Sequence, residues 1–342
     1  MRTLKNTFIT MLLAGLTALS VSCEKHGEPV IGPRTEVTFA VGVPTRAAVT
    51  AHEDEVHSLD LLVFRADNGR LDAYNRVSSA TTVTANLSVG AAVHYYVVAN
   101  APAGALSSFT AESDFLSGKT LLGQSTASSL LMYGAGTVTV SEGGSAVPVT
   151  LDRYVSKVSV QTVEVKWLDT FTTAPEVKIG RVALVNVLGH LPWSGTPTAG
   201  TLWYNRMNVV TVDDGTDATA NVMDMICAPH DITVTDSSPV HLTESQYAQP
   251  NPTDNAVNSE TDPEWSVRDT RVALELLIDG VPNWYPVDLP SMQGNRHYIV
   301  TRLVVLGPGA SSPDLPVTRT DIELELTVKD WEDTDTNVVF YD

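Results

Sequence analysis

Apolar and polar residues alternate with a period of two along most of this chain, in segments rich in Val, Thr and Tyr. Gly, Pro, Asn and Asp separate these segments from one another. Successive side chains of a β-strand point to opposite faces of a sheet, so this pattern is typical of antiparallel strands with one buried face. The sequence therefore predicts an all-β fold.

Individual segments make this prediction specific. Residues 59–64 are followed by Asp67-Asn68-Gly69 and then by a second apolar segment, 71–77, which predicts a hairpin. Residues 93–99 (VHYYVVA) are apolar apart from His94, as in a strand that lies between two layers. Residues 112–116 are the one candidate for a short helix, and the polar stretch 246–264 predicts a long surface loop.

Length and charge limit the domain organisation and the partners. A chain of 342 residues is long for one β-sandwich and suits two, with a boundary near Asp152, where a long alternating segment begins. The predicted domains span residues 47–152 and 153–342. The chain has 40 acidic and 21 basic side chains and a net charge of -19, which would repel a phosphate backbone and argues against nucleic acid as a partner.

The first residues indicate export. Arg2 and Lys5 precede an apolar run, 8–21, that is too short to span a bilayer and is typical of a signal peptide, predicted here as residues 1–22. Small residues precede Cys23, as in lipoprotein precursors, so we expect a lipid on the Cys23 thiol and a lipidated propeptide at residues 23–46. The alternative is ordinary cleavage that leaves Cys23 as a free thiol.

A short strand follows within this propeptide. One of its faces is apolar and consists of Val37, Phe39, Val41 and Val43. It runs directly into Pro44-Thr45-Arg46-Ala47, an extended arginine site that suits a trypsin-like or arginine-specific protease.

Alternation returns at the C-terminus. One apolar face there consists of Ile322, Leu324, Leu326 and Val328. A second short strand at residues 337–341 carries Val338 and Phe340.

No motif predicts catalysis or metal binding. The histidines of the segment 52–57 are five residues apart rather than four, so this segment is interpreted as a solvated loop. The acidic segments 213–217 and 332–335 lack the spacing of a calcium loop. Cys227 has apolar neighbours and is interpreted as a small buried residue. We predict no enzyme, no catalytic residue, no metal and no cofactor.

Several segments together resemble the FimA-type fimbrillins, the major fimbrial subunits of the type V pili of Bacteroidales. The resemblance covers nearly the whole chain. It rests on the lipoprotein signal and on these segments: residues 45–47, residues 59–64 with the turn Asn68-Gly69, residues 96–102, 153–158 and 295–300, and Val328-Lys329-Asp330-Trp331.

The resemblance implies two transthyretin-like, Greek-key β-sandwich domains in tandem and a fimbrial subunit that supports adhesion and biofilm formation. It implies lipid-dependent export to the outer membrane and cleavage between Arg46 and Ala47, which would remove the strand of residues 37–43 from its sheet. It also implies assembly at the cell surface by donor-strand exchange. The implied partners are other copies of the chain, minor anchor and tip subunits, and the arginine-specific protease. The donated strand would lie within about residues 320–342, and either C-terminal strand could instead complete its own sheet.

Other functions remain open at this stage. The chain could be a fimbrial anchor that keeps its lipid, or a tip subunit without a donor tail. It could also be a lipid-anchored glycan-binding protein that displays Trp193, Trp203, Trp265 and Trp284, or an enzyme whose polar cluster is assembled only by folding.

Overall fold

The computed structural model describes residues 33–42, 52–166, 173–196, 202–205, 208–211, 226–234, 238–251, 269–313, 315, 322–331 and 338–340. Regular structure in these residues is almost entirely β-strand, with one α-helix, α1 (Glu112–Ser117), and a 3-10 turn at Leu122–Gln124. The predicted all-β fold is confirmed, as is the short helix predicted at residues 112–116.

The strands of the first half form two facing sheets. They are β1 (Arg34–Gly42), β2 (Ser58–Arg65), β3 (Leu71–Ser78), β4 (Thr82–Ser88), β5 (Ala92–Ala99), β6 (Lys119–Leu121), β7 (Met132–Thr139), β8 (Ala146–Thr150) and β9 (Asp152–Arg153). One sheet has the order β3-β2-β5-β7-β9 and the other β4-β1-β8. Strands β2 and β3 form the predicted hairpin, with Gly69 at φ 66° in its turn.

The core of this sandwich lies between the two sheets. Phe39 of the smaller sheet meets Tyr95 of the larger one, with ring centroids 5.1 Å apart. The outer face of the larger sheet is covered as well, because α1 places Phe115 4.7 Å from the ring of Tyr96. Strand β5 is therefore covered on both faces, fully at residues 97–99 and partly at His94 and Tyr96, which explains why residues 93–99 are apolar apart from His94.

The strands of the second half form a larger sandwich and some short pairs. They are β10 (Ser156–Val160), β11 (Thr162–Val165), β12 (Val177–Val185), β13 (Val187–Leu188), β14 (His190–Pro192), β15 (Leu202–Asn205), β16 (Asn208–Thr211), β17 (Cys227–Val234), β18 (Val240–His241), β19 (Ser245–Ala248), β20 (Arg271–Ile278), β21 (Val281–Asp288), β22 (Arg296–Val305), β23 (Ile322–Asp330) and β24 (Val338–Phe340).

The core of the second sandwich lies between a seven-stranded sheet and a four-stranded sheet. The larger sheet follows the order β18-β11-β22-β10-β19, with β23 paired to β22 and β24 paired to β23. The smaller sheet has the order β17-β12-β20-β21. Val158, Tyr298 and Leu326 of the larger sheet are buried against Leu184 and Leu274 of the smaller one.

The two halves exchange short segments. Strand β6 of the first half pairs with β14 of the second, from His190↔Leu121 to Pro192↔Lys119. Trp193, just after β14, packs into the outer layer of the first sandwich, whereas Leu122 and Leu130 pack into the core of the second. Near the predicted boundary, β9 still pairs with β7 of the first sandwich.

Two local predictions are corrected. The start of the stretch predicted as a surface loop, Gln246 to Ala248, lies in β19 and is buried, because β19 pairs with β10 and Tyr247 joins the core. The rest of that stretch from residue 252 onward lies outside the described residues. Cys227 is half-buried rather than buried, since it packs on the outer face of the four-stranded sheet against Trp284 and its neighbours.

Candidate functional site

Strand β1, the predicted removable strand, is the central strand of its sheet. It runs antiparallel to β4, from Arg34↔Ser88 to Ala40↔Thr82, and parallel to β8, from Thr38↔Ala146 to Gly42↔Thr150. Strands β4 and β8 do not pair with each other in this sheet. The backbone of β1 is therefore the connection between them.

The apolar face of β1 fills the core of the first sandwich. Val37 and Phe39 are both 0% exposed, and Val41 is partly buried against the same core. Burying a side chain of this size contributes about 1.5–3 kcal/mol. The strand therefore occupies specific pockets as well as supplying hydrogen bonds.

The loop before β8 fits closely around β1. Gly144 has φ +78°, and a Cβ atom added there would lie 2.4 Å from the backbone oxygen of Glu36. The next residue of this loop, Ser145, accepts a hydrogen bond through its carbonyl from the backbone amide of Thr38 in β1, at 3.0 Å. Only a glycine allows this approach, so the loop is shaped around the strand.

The other residues predicted to act in the leader lie outside the described residues. These are Cys23, Val43, Arg46 and Ala47. The nearest described residue, Gly42, is exposed at the end of β1.

The two C-terminal strands differ in how firmly the sheet holds them. Strand β23 pairs with β22 along its full length, from Arg296↔Asp330 to Val305↔Ile322, with a bulge between Val300 and Arg302. Leu326 is 0% exposed, and the partly buried residues packed against the same core are Ile322, Leu324 and Val328. Strand β23 is therefore an integral part of the second sandwich.

Strand β24 is held by its backbone to one neighbour. It pairs antiparallel with β23 at Glu325↔Phe340, Leu326↔Val339 and Thr327↔Val338, and ends the sheet on that side. Six residues, 332–337, separate it from Trp331 and lie outside the described part of the chain. The candidate donor residues Val338 and Phe340 are thus placed at a sheet edge.

Charged side chains lie across the outer face of β23. Arg302 of β22 forms two hydrogen bonds to the carboxylate of Glu164, at 2.8 and 3.0 Å, and approaches Glu323 and Glu325 at 3.8 and 3.7 Å. The Arg302 hydrogen bonds outweigh the opposing effect of burial and lower the pKa of Glu164. The acidic side chains of β23 therefore face a cation.

A buried carboxylate joins the first half of the chain to the second. Glu53 is 2% exposed; its Oε1 atom accepts hydrogen bonds from Lys157 Nζ and from the Tyr247 hydroxyl, both at 2.7 Å. Its Oε2 atom accepts one from Trp331 Nε1 at 3.0 Å. The interpretation of residues 52–57 as a solvated loop is therefore wrong for Glu53, which sequence reasoning missed.

The protonation of Glu53 reflects these partners. Burial raises the pKa of this carboxyl, but the hydrogen bonds from Lys157, Tyr247 and Trp331 and the positive charge of Lys157 together outweigh burial and hold the pKa below its usual value. Burial and the nearby Glu53 carboxylate raise the pKa of Tyr247, which keeps its hydroxyl a donor. Glu53 is thus an ionised carboxylate that accepts three hydrogen bonds.

The aromatic platform expected of a glycan-binding protein is not formed by the described tryptophans that were named for it. Trp193 and Trp284 are 3% and 4% exposed, respectively, and belong to apolar clusters. The other two, Trp203 and Trp265, have side chains outside the described residues. Among the described residues, no group of three or more His, Cys, Asp or Glu could hold a metal ion.

A polar cleft of about 330 Å³ lies between the two halves. Asn295 on its wall donates to Asp152 at 3.0 Å, and Arg296 forms an ion pair with Asp330. The Asn295–Asp152 contact joins the two halves, whereas Arg296 and Asp330 lie opposite each other on the paired strands β22 and β23. No helix in the described part of the chain has the length and apolar character needed to cross a membrane.

The sequence of the first half matches a known protein family. Residues 35–179 match the model of the family described as major fimbrial subunit protein (FimA). This match includes β1, both neighbours of β1 and the whole first sandwich. No curated protein matches the sequence.

Solved structures share the fold over almost the whole chain. A proposed cell adhesion protein from Bacteroides eggerthii has a TM-score of 0.63 at 17% identity, covering 89% of this chain and 98% of that one. A fimbrilin (FimA) from Porphyromonas gingivalis has a TM-score of 0.57 at 16% identity, covering 92% and 100%. A fimbrial assembly protein from Parabacteroides distasonis has a TM-score of 0.53 at 14% identity, covering 90% and 99%.

These findings define the class of protein as one with the fimbrillin fold, whose solved members consist almost wholly of the same arrangement of sheets. Within that class, residues 35–179 match the model of the family of major fimbrial subunits (FimA). The resemblance found in the sequence is confirmed. This family is one of structural subunits rather than of enzymes.

Proposed function

We propose that this chain is a structural subunit of a cell-surface fimbria that polymerises by donor-strand exchange after losing β1. The observation that carries this proposal is the position of β1 between β4 and β8. Loss of a central strand leaves two bare strand edges facing one groove, whereas loss of an edge strand leaves one new edge and no groove. Such a groove binds an extended segment of matching alternation.

Maturation in this scheme begins with export and lipidation at Cys23 and continues with cleavage between Arg46 and Ala47. The exposed end of β1 at Gly42 lies only four residues before Arg46, which suits a protease that needs extended, accessible chain. After cleavage β1 is held without a covalent link, so a competing strand can replace it. The lipid at Cys23 would leave with β1.

The groove favours a donor with a particular pattern. Its deepest pockets hold Val37 and Phe39, two residues apart. Val338 and Phe340 of β24 repeat the same residue types at the same spacing. Refilling the two pockets would contribute roughly 3–6 kcal/mol before ordering costs, at about 1.5–3 kcal/mol for each side chain.

The two candidate donors differ in what their departure costs. Removing β23 would expose Leu326 and strip β22 of a neighbour along its length. Removing β24 breaks a three-residue pairing at the sheet edge. We therefore assign donation to β24, with Val338 replacing Val37 and Phe340 replacing Phe39.

A deletion tests this function. Protein lacking residues 337–342, cleaved at Arg46 and observed by electron microscopy, should remain a folded monomer and form no fibres. Normal fibres from this truncated chain would refute the donor assignment. Arg46→Lys in the full chain should block an arginine-specific protease and leave the subunit monomeric.

A matched pair of substitutions tests the register. Phe340→Thr removes the side chain assigned to the Phe39 pocket and should abolish or strongly slow fibre growth. Val339→Thr changes the other face of the strand, where β1 itself carries Thr38, and should leave fibres intact. Equal effects of the two changes would contradict the assigned register.

The position of the subunit within a fimbria can be tested separately. A shaft subunit should begin at Ala47 in surface material, whereas an anchor should retain Cys23 with its lipid. Mass spectrometry of sheared fimbriae distinguishes these outcomes. Adhesion and biofilm formation follow in the proposal from the fibre rather than from a pocket on the monomer.

A further inference from the structure

We propose that Glu53 is a positioning residue for strand exchange, fixing Trp331 as the root from which the C-terminal arm departs. The arm is defined here as residues 332–342. This inference rests on the proposed function in its final step, because only there does the arm act as a donor. Its structural part concerns the intact chain and can be tested without any fibre.

Three hydrogen-bond donors converge on the carboxylate of Glu53. Lys157 belongs to β10, Tyr247 to β19, and Trp331 follows directly after β23. Three separate elements of the second sandwich therefore bind one side chain of the segment that leads into β2. Charged hydrogen bonds in a buried site are among the stronger polar interactions in proteins.

The ring of Trp331 is enclosed by one aromatic and two cationic side chains. The ring of Tyr247 stacks on it with centroids 5.9 Å apart and an angle of 15° between the planes. The guanidinium of Arg153 lies 4.9 Å from the Trp331 centroid, and the ammonium of Lys157 lies 5.8 Å from it. Cations over an indole face are attracted to its electrons, so Trp331 is held by its ring as well as by its N–H group.

Backbone hydrogen bonds also hold Trp331 and Glu53 in place. The amide of Trp331 donates to the carbonyl of Asn295 at 3.2 Å, and Arg153 Nε donates to the backbone oxygen of Glu53 at 3.2 Å. The last residue before the arm is thus fixed to both halves of the chain. In contrast, β24 has pairing at three backbone positions.

A functional consequence follows from this asymmetry. In the proposal, β24 leaves while Trp331 and β23 stay in their own sheet. The six residues 332–337 can extend by at most about 20 Å. Because Trp331 is fixed, β24 can reach only a limited region around it. The groove of the neighbouring subunit must lie within that region.

Hydrogen exchange on the uncleaved monomer tests the positioning role. Glu53→Gln keeps the shape of the side chain but replaces one acceptor with a donor, facing Lys157 or Trp331. We expect exchange in residues 322–331 to become about tenfold faster or more, with exchange in β2 and β5 unchanged. Glu55→Gln, in the same segment but largely outside the cluster, is the matched control and should change neither region.

A second variant keeps the test decisive if Glu53→Gln folds poorly. Trp331→Phe retains an aromatic ring against Tyr247 but removes the N–H donor together with part of the indole ring, so it should also accelerate exchange in the same segment. Unchanged protection of residues 322–331 in both variants would overturn the proposal. Faster exchange spread equally over all strands would also overturn it, since that indicates general stabilisation.

Fibre growth supplies the final step. After cleavage at Arg46, Glu53→Gln should polymerise more slowly than Glu55→Gln at equal concentration. If it polymerises at the control rate although residues 322–331 exchange faster, the positioning role is wrong and donor-strand exchange stands. If the chain lacking residues 337–342 forms fibres, the proposed function fails, and the exchange data still report on the Glu53 contacts.

Discussion

Strands β1 and β24 lie near the two ends of the described chain, and their sheets hold them in opposite ways. Strand β1 has a partner on each side and two fully buried side chains, Val37 and Phe39. Strand β24 has one partner and lies at an edge. The strand that the proposed function removes is therefore the one whose loss leaves a gap, and the strand that it donates is the one whose loss leaves a complete sandwich.

In the proposed function, this contrast separates the precursor from the mature subunit. In the precursor, interactions of β1 contribute to the stability of the first sandwich. In the cleaved subunit, the same pockets would be available to another segment. Changes within and around β1 should therefore affect the two forms differently, whereas changes near β23 should affect both forms alike.

The largest expected effect comes from the deepest side chain of β1. Phe39→Ala should lower the free energy of unfolding of the precursor by about 3–5 kcal/mol, because it leaves a cavity beside Tyr95. Protein from which β1 has been cleaved and displaced should not respond to this change. Urea unfolding of both forms provides the measurement, and an equal loss in both would break the comparison.

A smaller effect is expected in the loop around β1. Gly144→Ala should destabilise the precursor by about 2–4 kcal/mol, combining the positive φ with the contact between the new methyl group and the Glu36 oxygen. Without β1 the contact disappears, and about 1–2 kcal/mol should remain. Gly143→Ala is the control, since it shares the positive φ but meets no atom within 4 Å.

The third prediction concerns pH and applies to both forms. The pKa of Glu53 is lower in the folded protein than in the unfolded chain, so its contribution is present above the unfolded pKa and is lost as pH falls through the folded pKa. Glu53→Gln should therefore cost about 1.5–3 kcal/mol at pH 7 and progressively less in acid. Lys157, Tyr247 and Trp331 face this carboxylate, Arg153 donates to the backbone oxygen of the same residue, and all four remain in the variant.

A cost of Glu53→Gln that does not change between neutral and strongly acidic pH would contradict this prediction. Chemical unfolding across that range, with Glu55→Gln measured in parallel, makes the comparison. The control matters because the overall acidity of the chain makes its stability depend on pH for other reasons.

The smallest effect is expected on the outer face of β23. Arg302→Met should cost under about 1 kcal/mol, because its ion pairs with Glu164, Glu323 and Glu325 are partly exposed and screened by salt. Leu326→Ala on the inner face should cost about 2–5 kcal/mol. A reversal of this order would mean that charge rather than the core holds β23 in place.

The sequence predicted elements whose cause is local. The hairpin of β2 and β3 follows from alternation around Asn68-Gly69, and α1 coincides with the one helical candidate. It could not predict Glu53, whose three donors lie 104, 194 and 278 residues away along the chain. Gln246 also appeared to be part of a loop, because the apolar neighbours that bury β19 come from β10 and the opposite sheet.

The candidate site divides in the same way. The apolar face of β1 was visible from its period of two, and the structure adds that this strand is the central one of three. No periodicity reveals which strands flank another, since neighbours in a sheet are set by the path of the whole chain. The pairing of β6 with β14, which links the two halves, was undetectable for the same reason.

The mixed orientation around β1, antiparallel to one neighbour and parallel to the other, gives its place in the sheet a direction. If β24 of one copy occupies that place in the next, the acceptor lies on the first sandwich and the donor on the second, so the contact joins unlike surfaces. A linear chain of such contacts has two chemically distinct ends. One end presents an empty slot and the other an unused tail, so growth and capping would require different partners.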